Sequence, residues 1–185
     1  AVNIFFDPSA EVVRYDEAIK RSKASLKKIA KSAAAHNIQV GIENVWNKML
    51  LSPLEMRDFV DDIGSRYLGV NFDVGNVVLI GFPGHWIRIL GRRIKRIHLK
   101  DFKWEFVPDV KKLSSFKGFA KGQCWGTKAA FCDLGAGDVN WREVMKALKD
   151  IRYRGPVTAE MLPPEPGVLR RTSKAMDVIL GRKKS

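Results

Sequence analysis

Residues 94–100 read Ile-Lys-Arg-Ile-His-Leu-Lys, an alternation of apolar and polar side chains that indicates a β-strand. Because successive side chains of a strand point to opposite faces, Ile97 and Leu99 share one face while His98 and Lys100 share the other. Three further segments alternate in the same way: Ile38 to Glu43, Tyr67 to Asp73 and Pro156 to Met161. Each of the four strands therefore carries a polar face.

The strand candidates alternate with helical patterns along the whole chain, which is typical of βα units. Two more strands are predicted, at Val2 to Phe6 and, more weakly, at Phe131 to Leu134. The first of five helices has an apolar stripe made of Tyr15, Ile19, Ser22, Leu26, Ile29 and Ala33. A second helix is predicted to start at Ser52, with Glu55 bonding back to the cap, and to end before Gly64.

Composition limits the class of protein. The 185 residues include 33 Lys and Arg against 20 Asp and Glu, a formal charge of +13, and no apolar run long enough to span a membrane. The N-terminal residues lack the basic start of a secretion signal. Cys124 and Cys132 do not have the spacing of a disulfide framework or a zinc site. We expect a single domain over residues 1–185, in a reducing, cytoplasmic setting.

The polar strand faces predict a metal site. If the apolar faces pack on helices, the polar faces line a barrel interior, where Glu43, Asp73, His98 and Glu160 would converge. Three neighbouring carboxylates repel one another unless they share protons or bind a cation. Their oxygens and one imidazole suit Mn²⁺, Mg²⁺ or Co²⁺, and Zn²⁺ is compatible. Alternatively, each residue is a separate ion-pair or capping partner.

These strand ends resemble those of a known family. The segments that carry the resemblance are Gly41-Ile42-Glu43-Asn44, Asn71-Phe72-Asp73-Val74-Gly75-Asn76, Arg96-Ile97-His98-Leu99-Lys100-Asp101, Leu134-Gly135-Ala136-Gly137-Asp138 and Thr158-Ala159-Glu160. They are similar to the xylose isomerase-like barrels of the sugar phosphate isomerase/epimerase superfamily. Within it, the chain is most similar to ketose 3-epimerases of the L-ribulose-5-phosphate and D-tagatose types.

The resemblance implies an α/β fold of the (β/α)₈ TIM barrel type and a cytoplasmic enzyme of carbohydrate metabolism. It implies one divalent cation, Mn²⁺ in the first place, held by the four residues above. Glu43 and Glu160 would also serve as acid and base, exchanging a proton next to a ketone through an enediolate. The substrate would be a ketose or ketose phosphate, contacted by Asn44, Asn76 and Lys100.

Two departures from the family pattern stand out. Many members have His where this chain has Asn76. The strand at Val2 to Phe6 resembles the third strand of the family, so the first two βα units of a barrel of about 250 residues are expected to be missing. Either the sequence is a fragment of a longer product, or association between chains, such as a homo-oligomer, covers the open edge.

The positive charge is concentrated between Trp86 and Lys128, a segment that contains twelve Lys and Arg but only three Asp and Glu. Lys100 shares the face of His98 and could bind a sugar phosphate or a developing oxyanion, or lie in solvent. Aromatic residues interleave with lysines from Phe102 to Trp125, as in a loop with its own small core, a substrate lid or a single-strand nucleic-acid binder.

Two rival functions compete with the isomerase or epimerase. An abasic-site DNA endonuclease shares the superfamily fold, but such nucleases use a trinuclear zinc site rich in histidine, and this chain has only three His. We therefore expect no nucleic-acid partner. The second rival is a catalytically inactive barrel fragment that acts as a binding module.

Overall fold

The computed structural model describes residues 13–106, 123–124, 127–160 and 166–182. The strands are β1 (Val40–Glu43), β2 (Leu68–Asp73), β3 (Ile94–Leu99), β4 (Asp101–Phe106), β5 (Gln123–Cys124), β6 (Thr127–Cys132) and β7 (Val157–Ala159). The helices are α1 (Tyr15–Ala35), α2 (Pro53–Ile63), α3 (Val74–Val77), α4 (Pro83–Leu90), α5 (Trp141–Asp150) and α6 (Val168–Ile179), with a 3₁₀ turn at Gly91–Arg93.

The main sheet is parallel and has the strand order β1-β2-β3-β7. It contains all four alternating segments, so these strand predictions are confirmed to within two residues at each end. The register pairs Glu43 with Asn71 and Asp73 with His98, which brings the carboxyl ends of neighbouring strands to one edge. The predicted strand from Val2 to Phe6 lies outside the described residues.

The weak strand predicted at Phe131 to Leu134 overlaps an observed strand but begins and ends too late. The strand is β6, Thr127–Cys132, and it pairs antiparallel with β4 and β5 in a separate three-stranded sheet. β4 begins at Asp101, directly beyond β3, so the chain leaves the parallel sheet there and returns antiparallel. The predicted aromatic and basic connection starts on β4, and its Phe116 and Phe119 lie outside the described residues.

The apolar faces of the parallel strands form the core with the helices. Phe72 of β2 and Trp86 of α4 are both buried, with ring centroids 6.3 Å apart. Ile97 and Leu99 are buried on the adjacent strand β3, where Ile97 pairs with Phe72. The stripe predicted for α1 is correct at Ser22, Leu26 and Ala33, which are buried. Tyr15 is not part of the buried face and is about half exposed, whereas Ala18 and Ala30 belong to that face.

The helix boundaries follow the capping residues. The hydroxyl of Ser52 accepts a hydrogen bond from Leu54 N–H at the start of α2, and Gly64 ends the helix with a left-handed φ of 69°. The expected bond from Glu55 back to the cap is not what the structure shows, since Glu55 accepts from the Tyr15 hydroxyl of α1. That contact ties α1 to α2.

Asp101 organises the turn that precedes α5. Its buried carboxylate accepts hydrogen bonds from the N–H groups of Phe102, Gly135 and Val139 and from the indole of Trp141. The amide groups of the turn, at Gly135 and Val139, thus bind a carboxylate of the protein itself. None of the helices in the described residues is long and apolar enough to cross a membrane.

Candidate active site

Four side chains from the ends of the parallel strands meet at one edge of the sheet. Glu43 ends β1, Asp73 ends β2, His98 lies near the end of β3, and Glu160 directly follows β7. One ligand atom from each lies within 4.8 Å of the other three. We call these four residues the carboxylate–histidine cluster. The structure thus brings together the four residues that the strand pattern singled out, although their role as metal ligands stays a prediction.

The cluster is asymmetric in its exposure to solvent. Glu43 and Asp73 are buried, while His98 and Glu160 are partly exposed. The Nδ1 atom of His98 lies 3.5 Å from Glu43 Oε1 and 3.6 Å from Glu160 Oε2. The ring therefore lies between the carboxylates of β1 and β7, the outer strands of this sheet in the described residues. The side-chain amide nitrogen of Asn71 on β2 lies 3.4 Å from His98 Nε2 and 3.5 Å from His98 Nδ1, so it contacts the imidazole ring.

Lys100 enters the cluster from the residue after β3. Its Nζ donates a hydrogen bond to Glu160 Oε2 at 2.8 Å and lies 3.5 Å from Asp73 Oδ2. The same ammonium lies 4.3 Å from the centre of the Phe131 ring, a cation–π contact. The sequence left open whether Lys100 reaches the site or lies in solvent. Its side chain is buried at the mouth of the barrel, so it does not lie in solvent.

Burial and charge displace the pKa values in opposite directions. Burial raises the pKa of Asp73 to about 7 against the pull of Lys100. Burial also opposes ionisation of Glu160, but the hydrogen bond and charge of Lys100 outweigh it and lower the pKa of Glu160. Hydrogen bonding to Glu43 raises the pKa of His98. In Lys100, burial lowers the pKa, yet the nearby carboxylates leave it raised overall.

Asn44 and Asn76, predicted to contact the substrate, form hydrogen bonds with the backbone of the site. Asn44 exchanges two hydrogen bonds with the backbone of Asp73. Asn76 Nδ2 donates to the carbonyl of Asn44 at 3.0 Å, and Asn76 N–H donates to Asp73 Oδ1 at 2.8 Å. The contacts observed here position Asp73, and the substrate role of both residues stays a prediction.

An aromatic group adjoins the cluster. The ring of Trp46 stacks on Phe131 at 5.2 Å between centroids and meets Phe102 edge-on at 5.6 Å. The indole N–H of Trp46 donates to the carbonyl of Asn76. Sequence reasoning missed Trp46, although its place three residues beyond Glu43, in the connection that leaves a strand end, was a usable signal.

The donor set fits a divalent cation. Glu43 Oε2 and Asp73 Oδ2 are buried carboxylate oxygens without a hydrogen-bond partner, although Lys100 Nζ lies 3.5 Å from Asp73 Oδ2. Burying such oxygens costs free energy, which a cation bound among them would offset. Hard oxygen ligands with one imidazole match Mn²⁺, Mg²⁺ or Co²⁺, and Zn²⁺ also accepts them. In the described part of the chain, the His, Cys, Asp and Glu side chains that lie close enough together to hold a metal ion are those of this cluster.

Comparison with known proteins agrees with this arrangement. A family model described as xylose isomerase-like TIM barrel matches residues 1–177. An inosose dehydratase from Clostridium perfringens is 27% identical over 150 residues, which are 78% of this chain and 48% of that protein. The chain spans about half the length of the curated relatives it matches.

Solved structures share the fold. A D-psicose 3-epimerase with D-tagatose from Clostridium cellulolyticum H10 matches with a TM-score of 0.68 and 19% identity, over 94% of this chain and 59% of that one. A xylose isomerase-like TIM barrel protein from Mycobacterium smegmatis in complex with magnesium matches with a TM-score of 0.65 and 20% identity, over 96% of this chain and 53% of that one.

Proposed function

The chain belongs to the family of xylose isomerase-like TIM barrels, and from this we propose that it carries the active site of a metal-dependent isomerase or epimerase of a ketose or ketose phosphate. The superfamily contains sugar epimerases, and the structural neighbours include several of them. The reaction would remove the proton from the carbon next to a ketone and return it to the other face or to the neighbouring carbon.

The observation that carries the proposal is the position of Glu43 and Glu160. In the described residues their strands, β1 and β7, are the outer strands of the four-stranded parallel sheet, and His98 Nδ1 lies within 3.6 Å of both carboxylates. In the proposed reaction, the two carboxylates lie on opposite sides of a substrate bound between them. A proton that leaves one face of a carbon and returns on the other requires one acceptor and one donor on opposite sides. Lys100 lowers the pKa of Glu160, which favours the ionised form that a base needs.

Glu43, Asp73, His98 and Glu160 would hold the cation. When bound, it would polarise the ketone oxygen and stabilise negative charge on it. The charge of Lys100, 2.8 Å from Glu160, faces the same space and would stabilise negative charge on a substrate oxygen as the C–H proton moves to a carboxylate. Asn44 and Asn76 hold the backbone at Asp73, and Trp46 offers an apolar surface beside them.

The curated relatives favour one second candidate, a dehydratase acting on a polyhydroxy ketone. Loss of water from such a ketone starts with the same proton removal, after which the hydroxyl on the next carbon leaves. The same two carboxylates could serve both reactions. The products distinguish them, because dehydration lowers the mass by one water whereas epimerisation leaves it unchanged.

The other two rivals have less support. The carboxylate–histidine cluster contains one imidazole among the described residues, whereas the trinuclear zinc site of an abasic-site endonuclease is rich in histidine. An inactive binding module would not need two buried carboxylate oxygens that lack hydrogen-bond partners beside an imidazole. The cytoplasmic setting, the single domain, the homo-oligomer and the sugar partner stay predictions.

The test is solvent proton exchange. The protein with Mn²⁺ is incubated in D₂O with D-tagatose, D-psicose, L-ribulose and their phosphates, and deuterium next to the ketone is followed by NMR. Glu43→Gln and Glu160→Gln should each reduce exchange at least about 100-fold while leaving the protein folded. Glu17→Gln, at a glutamate of α1 that is 42% exposed and pairs with Arg21, is the matched control. Undiminished exchange in both site variants would refute the acid and base assignment.

A further inference from the structure

Lys100 is a cation built into a site that is proposed to bind another cation. Its ammonium touches two members of the carboxylate–histidine cluster, at 2.8 Å from Glu160 Oε2 and 3.5 Å from Asp73 Oδ2. The residue is only 7% exposed, so water screens this charge poorly. A buried ammonium beside the proposed metal site would repel the metal ion. Ion pairing with the carboxylates alone therefore does not explain why a lysine occupies this position.

The position of this ammonium is fixed by its surroundings. The Phe131 ring lies 4.3 Å from Nζ on one side, and Trp46 is stacked behind that ring. The backbone of Lys100 is packed against Gly75, where an added Cβ atom would come within 2.7 Å of the Lys100 carbonyl oxygen. The antiparallel strand β6, which supplies Phe131, thus holds the charge of Lys100 close to Asp73 and Glu160.

We infer that Lys100 is a specificity-determining residue that sets the charge of the ion the cluster accepts, restricting it to divalent cations. This inference rests on the proposed metal-dependent function. In the ion-bound cluster Asp73 would have released its proton, so the three carboxylates would carry three negative charges, and the ammonium would cancel one of them. The remaining two match one divalent cation when His98 is a neutral ligand.

The effect grows with the charge of the ion. The repulsion between an ammonium and a cation a few ångströms away is proportional to the charge of the cation. Removing the ammonium therefore favours a trivalent ion more than a divalent one. Loss of the hydrogen bond between Lys100 and Glu160 would loosen one ligand for both ions alike. The ratio of the two affinities consequently reports the charge of Lys100 separately from its packing.

The experiment compares Mn²⁺ with Tb³⁺, two ions that oxygen ligands accept. Binding of Mn²⁺ is measured by electron paramagnetic resonance of the free ion, and binding of Tb³⁺ by luminescence sensitised through tryptophan. The variants are Lys100→Met, which removes the charge, and Lys100→Arg, which keeps it. Lys103→Met, at an exposed lysine on the neighbouring strand, is the matched control. Lys100→Gln replaces Lys100→Met if the latter does not fold.

Lys100→Met should raise the ratio of Tb³⁺ to Mn²⁺ affinity by about tenfold or more, whereas Lys100→Arg and Lys103→Met keep the wild-type ratio. An unchanged ratio in both uncharged variants would overturn the inference and leave the proposed function intact. Conversely, if wild-type protein binds Mn²⁺ no better than an Asp73→Asn variant, the metal-dependent function fails. A Tb³⁺ site that appears only without the ammonium would still support the charge role of Lys100.

Discussion

Asn44 continues the pairing of β1 with β2 beyond the point where the backbone ladder ends. The last backbone pair is Glu43 with Asn71. One residue later, the side chain of Asn44 donates to the carbonyl of Asp73 at 2.9 Å and accepts from its N–H at 2.8 Å, as a paired strand residue would. The chain can thus turn away after Glu43 while Asp73 remains held on both sides.

Asn44→Ala should therefore destabilise the protein and disturb the cluster. The substitution leaves a buried N–H and a buried carbonyl without partners, and we expect the free energy of unfolding to fall by about 2 to 4 kcal/mol. Urea unfolding in the presence of a chelator measures this. The control is Asn47→Ala, which removes a contact to Met49 N–H outside the cluster. Equal losses in the two variants would contradict a special role for Asn44.

The sequence was sufficient to predict the four strands of the parallel sheet and the residues at their ends. Alternation assigns His98 and Lys100 to one face, and parallel strands bring their carboxyl ends together, so the cluster follows from local patterns. Asn44 could not be assigned in this way. Its hydrogen-bond partner is 29 residues away, and the bond depends on where the two strand ends stop relative to each other.

The hairpin of β4 with β6 was also not predicted from the sequence. Asp101 and Phe102 follow β3 directly, and nothing in their alternation marks where the parallel sheet ends. The change of partner depends on tertiary contacts, including the Asp101 carboxylate that accepts hydrogen bonds from a turn 34 residues later. The cation–π contact of Lys100 with Phe131 results from this return of the chain.

The metal-free protein should lose stability as the pH rises from weakly acidic to neutral. Burial raises the pKa of Asp73 from 3.8 to about 7, so the folded state keeps a proton that the unfolded chain releases. This contribution is complete below about pH 4 and is lost as the pH approaches 7, up to about 4 kcal/mol in total. The raised pKa of His98 acts in the same direction.

Urea midpoints at about pH 5 and about pH 8 test this prediction, with a chelator present throughout. The Asp73→Asn variant, which has no titrating carboxyl and keeps the oxygen that accepts from Asn76 N–H, should show a flatter pH profile. The lowered pKa of Glu160 affects stability only at more acidic pH, outside this range. A wild-type profile as flat as that of the variant would argue against a proton on Asp73.

Two glycines of the turn before α5 should differ in their tolerance of alanine. A Cβ atom at Gly137 would lie 2.2 Å from Asp101 Oδ1, so Gly137→Ala has to displace the buried carboxylate. Gly135 has open space around it, and its φ of 84° is the only constraint. We expect Gly135→Ala to cost about 1 kcal/mol and Gly137→Ala at least about 3 kcal/mol. Thermal unfolding of both variants measures the difference, and equal costs would contradict the crowding at Asp101.

Mn²⁺ should stabilise the protein more at weakly alkaline than at weakly acidic pH. Protons held by Asp73 and His98 must leave before these groups can act as ligands, so ion binding and proton release are coupled. An ion present at about 100 times its dissociation constant adds about 2.7 kcal/mol to the free energy of unfolding. We expect the Mn²⁺-induced shift in melting temperature to be larger at about pH 8 than at about pH 6, and to be small at both in His98→Gln. His36→Gln, at the exposed end of α1, is the matched control and should keep the wild-type shift. A shift that is the same at both pH values, or that survives in His98→Gln, would place the ion away from the cluster, since the stabilisation depends on pH only if the ligands must lose protons to bind the ion.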